Sequence, residues 1–118
     1  METAISDLEA MLMNATVVHS INANIQLHDD GIDIEIDGGY SGYISFREEP
    51  GSKMFYGTAK SMAVGVNERC VEELKKIGVS SQIVDADIEH TSKKVIFGLP
   101  YDFNAVERAI NALYRGFQ

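Results

Sequence analysis

The chain has 118 residues, 45% of them hydrophobic and 24% charged, with one cysteine and a formal net charge of −8 at pH 7. That length suits one domain of the usual ~100–150 residues, and the composition excludes intrinsic disorder. The lone Cys70 excludes an internal disulfide, and the acid excess disfavours a nucleic-acid backbone or an anionic membrane surface as partner.

In chain order, Ala4, Ile5, Leu8, Met11, Leu12 and Ala15 recur at three- and four-residue steps, which predicts a helix over about residues 4–14. Its acids, Glu2, Asp7 and Glu9, and the lack of a basic leader point away from a signal peptide. With the single thiol they indicate a reducing, cytoplasmic setting. The sequon Asn14-Ala15-Thr16 is discounted on that ground, and no apolar run approaches the ~20 residues of a membrane span.

Strict alternation follows. Val17, His19, Ile21, Ala23, Ile25 and Leu27 share one parity, with polar residues between them, the period of a half-buried strand. Asp29-Asp30-Gly31 is turn chemistry, after which Ile32, Ile34 and Ile36 alternate with Asp33, Glu35 and Asp37. Asp37-Gly38-Gly39 turns again into a third strand over 40–47, with Tyr40, Ile44 and Phe46 on one face and Tyr43 and Arg47 on the other. Lys53 to Gly57 fits a short fourth strand.

Ala59, Met62, Ala63, Val66, Cys70, Leu74 and Ile77 then step by three and four. They predict one long helix capped by Thr58 and closed by Gly78. The competing reading makes Met62–Val66 a strand and starts the helix at Asn67. Residues 80–99 read as a hairpin turning at Thr91-Ser92, with Val84, Ala86 and Ile88 facing Leu99, Phe97 and Val95. Asp85, Asp87 and Glu89 then lie outside, Glu89 opposite Lys94. Asp102 caps a last helix whose stripe is Phe103, Val106, Ile110, Leu113 and Phe117.

The expected fold is a single α+β domain over residues 1–118, with element order α-β-β-β-β-α-β-β-α. Its one antiparallel sheet carries helices on one face and leaves the other face polar and, in two strands, acidic. The order helix, meander, helix, hairpin, helix resembles the small acidic chaperones of type III secretion. Under the competing reading, Met54-Phe55-Tyr56 through Val66 with the helix after it is similar to the hairpin-plus-helix of TATA-binding proteins, although the basic residues of their DNA-binding saddle are missing.

Function is less legible. Residues 1–46 contain no Lys or Arg and hold Glu2, Asp7, Glu9, Asp29, Asp30, Asp33, Glu35 and Asp37, so the whole charge excess belongs to that segment. Asp33, Glu35 and Asp37 project together from one strand face. Such a field steers a basic protein partner, with Tyr43 as an aromatic anchor and with or without homodimerisation. The plain reading is an ordinary solvated strand.

Asp33-x-Glu35-x-Asp37-Gly38 imitates the start of an EF-hand loop, but its twelfth position is Ile44 and the alternation demands a strand. A divalent-cation or small-ligand module using Asp29, Asp30 and Asp33 is the alternative, beside a chaperone-like protein. His19, His28 and His90 lack zinc-ligand spacing. Cys70 falls on an apolar stripe, and Ser41 does not fit a nucleophile elbow. No cofactor or metal is implied. The chain leans away from an enzyme, with a site assembled from scattered residues around His19 or Cys70 left open.

Overall fold

The computed structural model describes residues 23–36, 42–49, 53–61, 63, 65–86 and 92–117. The strands are β1 (Ala23–Leu27), β2 (Gly31–Ile36), β3 (Gly42–Glu49), β4 (Met54–Lys60), β5 (Ser81–Asp85) and β6 (Lys93–Pro100). Helix α1 (Val66–Lys76) joins β4 to β5, and α2 (Phe103–Phe117) follows β6. The six strands form one sheet in the order β1-β2-β3-β4-β6-β5, with every pairing antiparallel. This is a mixed α+β fold. The helix expected over residues 4–14 lies outside the described residues, as does the part of the first strand before Ala23.

The alternation in the meander does what its period requires. Ile32, Ile34, Ile36, Ile44, Phe46, Phe55, Ala59, Val95, Phe97 and Leu99 are all buried on one side of the sheet. Their partners in register are Ile34 with Ile44 and Ile32 with Phe46 on β2–β3, then Phe55 with Leu99 on β4–β6. Fully burying such a side chain contributes roughly 1.5–3 kcal/mol. Phe46 meets Phe55 and Phe97 edge-on, with ring centroids 6.5 and 6.1 Å apart. Val66, Cys70 and Leu74 of α1 and Val106, Ala109, Ile110 and Leu113 of α2 complete the same cluster.

The single long helix over 59–77 does not form. Thr58, Ala59 and Lys60 continue β4, where Ala59 is buried between Ile44 and Val95. The helix starts only at Val66, because Gly65 stands at φ 80°, a left-handed conformation no α-helix interior contains. Val66, Cys70 and Leu74 form the buried stripe of this helix and Ile77 at its C-cap packs against the same core, while Met62 lies outside the described residues. The competing start at Asn67 is one residue off, but of its strand Met62–Val66 the described residues Ala63, Gly65 and Val66 are bend, turn and helix, and Met62 and Val64 lie outside the described residues. Gly78 does close the helix: its N–H donates to the Lys75 carbonyl and that of Val79 to the Leu74 carbonyl, at 3.0 and 2.9 Å.

The second hairpin also departs from expectation. Ser81 pairs with Phe97, Ile83 with Val95, Val84 with Lys94 and Asp85 with Lys93. β5 ends at Asp85 and β6 begins at Lys93, so the register is not the one expected from a turn at Thr91-Ser92; Thr91 and Ile88 lie outside the described residues. An odd offset moves every side chain to the opposite face. Val84 therefore stands on the open face, opposite Lys94. Asp85 stands on the helix side, in an ion pair with Lys93. Asp87 and Glu89 lie outside the described residues. In α2 the stripe holds except at Phe103, which is 41% exposed. The Asp102 cap is present, its Oδ1 accepting from the Asn104 N–H at 2.9 Å.

Candidate functional site: the open face of the sheet

The face away from the helices is built by the residues between the buried ones. In cross-strand register it carries Glu35 beside Tyr43 and Tyr43 beside Lys60; the next row sets Asp33 beside Ser45 and Ser45 beside Thr58. Further along lie Arg47 beside Tyr56 and Tyr56 beside Gly98. Tyr43 is 47% exposed, Tyr56 41% and Met54 38%. Large apolar groups are thus left in water on the same strands that bury every apolar residue of the other parity.

Asp33 and Glu35 share this face as expected, but in different states. Asp33 Oδ1 accepts from Arg47 Nη1 at 2.9 Å and from Ser45 Oγ at 2.8 Å, and His28 Nε2–H donates to Oδ2 at 2.8 Å. Partial burial pushes this carboxyl up. The bonds from Arg47 and Ser45, the guanidinium charge and the bond from His28 outweigh it, so Asp33 titrates below its ordinary 3.8. Its charge is thus largely compensated within the chain. Among the described residues Glu35 accepts only a long bond from Gln26 Nε2, at 3.4 Å. Asp37 lies outside the described residues.

The cations occupy the other side of the face. Lys60 and Lys94 fall in adjacent positions of β4 and β6, one register step beyond the pair Ala59–Val95. Among the described residues neither has an ion-pair partner. Sequence reasoning missed them because their apposition needs the crossover that brings β6 beside β4. The parity of Lys60 against the buried Ala59 is visible only once residues 58–60 are strand.

The Asp33 cluster gathers a hydroxyl, an imidazole and a carboxylate, but in an order unlike a hydrolytic triad. Ser45 and His28 both bond Asp33, so the imidazole does not take the serine proton. Arg47 also approaches Asp30, Nε to Oδ1 3.6 Å. The guanidinium thus contacts Asp30 and Asp33, two of the three carboxylates of the cation-binding alternative. Among the described residues no three His, Cys, Asp or Glu side chains are grouped to hold a metal ion.

Cys70 is buried, its thiol directed at the Leu113 carbonyl 3.9 Å away, and burial pushes it up to about 12. That protonated thiol packs; it does not attack. His19, His90 and Ser41 lie outside the described residues. A shallow depression of about 330 Å³ between β4, β6 and the start of β5 is lined by Phe55, Tyr56, Ser80, Ser81, Gln82, Ile96, Phe97 and Gly98. It offers no carboxylate, imidazole or thiol. Among the described residues no helix is long and apolar enough to cross a membrane.

Comparison with protein-family models, curated proteins and solved structures finds no match to this chain. The chemistry of the open face carries the functional argument alone.

Proposed function

We propose that the chain is a non-catalytic protein-binding or regulatory domain of the cytoplasm that docks a partner on the open face of its sheet. Tyr43 is the aromatic anchor. Glu35, with Asp37 two positions further along the same alternation, takes the partner's basic side chains, while Asp33 holds His28, Ser45 and Arg47 in place beneath them. The expected first helix over about residues 4–14 belongs to the same reading of the domain. The observation that carries the proposal is the pairing of a 47% exposed Tyr43 with the weakly bonded Glu35 in one cross-strand row. A flat aromatic beside an available carboxylate suits a cationic protein surface.

The test is affinity capture from a soluble extract at low and high salt, using the wild type, Glu35→Lys and Tyr43→Ala. A basic protein retained at low salt by the wild type and lost with either variant supports the proposal. Equal retention by all three removes the open face from the function.

A further inference from the structure

We propose that the partner docked on the open face is a second copy of this chain, related by a two-fold axis passing over Tyr43 of β3. The inference rests on the docking role of the open face and names its occupant.

The argument is one of charge placement. Within one copy the row reads Glu35, Tyr43, Lys60 and then Lys94 across β2, β3, β4 and β6. Strands lie ~4.8 Å apart, so Glu35 and Lys60 stand roughly 10 Å from each other, either side of Tyr43. They do not pair within the copy. The two lysines are like charges in apposed positions, an unfavourable arrangement on a sheet unless an anion is supplied.

A partner that offers only basic groups satisfies Glu35 and leaves Lys60 and Lys94 uncompensated, whereas a second copy offers both signs in one row. A two-fold axis between the sheets, passing over Tyr43 at about 15° to the strand direction, exchanges the β2 and β4 sides. It brings Glu35 over Lys60 of the partner subunit and Asn24 over Lys94 of the partner subunit, and repeats both contacts by symmetry. Tyr43 then meets its own counterpart at the axis. Sheets packed face to face cross at about 30°, which carries the two Arg47 side chains, four residues further along, away from each other. An axis on β3 overlaps five strands, β1, β2, β3, β4 and β6, and leaves β5 beyond the partner's edge, so the overlap offers roughly 500 Å² of flat area per copy. That is the small end of specific interfaces, so the dimer dissociates on dilution and weakens in salt.

Sedimentation equilibrium of the full chain, from about 1 μM to about 500 μM, tests this over the range a small interface calls for. The expected result is a reversible dimer weakened about tenfold or more by Glu35→Lys and by Lys60→Glu, with affinity restored in the double variant. Unchanged melting temperatures keep a folding defect from imitating the loss. As an independent readout on the wild type, a carbodiimide should join Glu35 to Lys60 between isotopically distinct copies. A chain monomeric at every concentration, or a double variant as weak as either single one, overturns the inference. If the chain stays monomeric while capture of a basic protein still depends on Glu35 and Tyr43, the second copy falls and the docking face stands; if both fail, both fall.

Discussion

Asp33 shows how one residue's environment changes its role. A carboxyl held below its ordinary value favours the folded state while it is ionised. Its contribution is complete above the unfolded value near 3.8 and is lost as pH falls through the lower folded value. Urea titrations should therefore find wild type more stable than Asp33→Asn at pH 6, with the gap narrowing below pH about 3.8; a gap independent of pH would mean that ionisation of Asp33 is not what stabilises the cluster. Gly116 is decided by distance. A Cβ there would lie 2.9 Å from the Cα and N of Cys70, so α1 and α2 must separate. Gly116→Ala should cost about 1–3 kcal/mol in chemical denaturation. Ser81 is the opposite case, its buried Oγ without a hydrogen-bond partner among the described residues. Removing an unsatisfied hydroxyl relieves a desolvation cost, so Ser81→Ala should leave the melting temperature unchanged or raise it.

The elements were legible where a local pattern and its tertiary use agreed. The isoleucines of β2 could lie on only one side of a sheet, and Asp102 after Pro100 marked the start of α2. Replacing that cap by Ala should lower stability by ~1 kcal/mol, read from thermal melting. Legibility failed at the β4–α1 junction. Ala59 shares the three-four spacing of the helix that follows, but it is worth more between Ile44 and Val95 than on a solvent-bounded helix turn. Gly65 then needs φ 80° to redirect the chain. Gly65→Ala should destabilise by roughly 1–2 kcal/mol, the cost of a Cβ in the left-handed region. The second hairpin failed for a different reason. Ile83 and Val84 are adjacent apolar residues of opposite parity, so alternation could not choose between them. Pairing with Val95 and Phe97 chose Ile83 for the helix side.

At the scale of the molecule, one cluster joins β2, β3, β4 and β6 to α1 and α2 among the described residues. The chain should unfold in a single urea transition with far-ultraviolet and near-ultraviolet circular dichroism coincident. Separate midpoints would mean that the meander and the C-terminal half hold together independently. The same architecture redistributes charge. An acid-only segment of 46 residues precedes a balanced remainder in the sequence, but the open face interleaves them. It sets Asp33 and Glu35 of β2 against Arg47, Lys60 and Lys94 of β3, β4 and β6.

The amino-acid order by itself determined the fold class, the buried parity of the meander, the α2 stripe from Val106 onward and its cap, and the closure of α1 at Gly78. Each of these depends on residues within a turn or two of one another, where spacing and backbone preference settle the outcome. Only the tertiary structure decided that residues 58–60 are strand, that β5 meets β6 with the opposite parity, that Asp33 is tied up by Arg47, Ser45 and His28, and that two lysines stand together across from Glu35. Those outcomes come from pairings between segments far apart in the chain, and such a pairing is chosen by the burial and hydrogen bonding of both partners together.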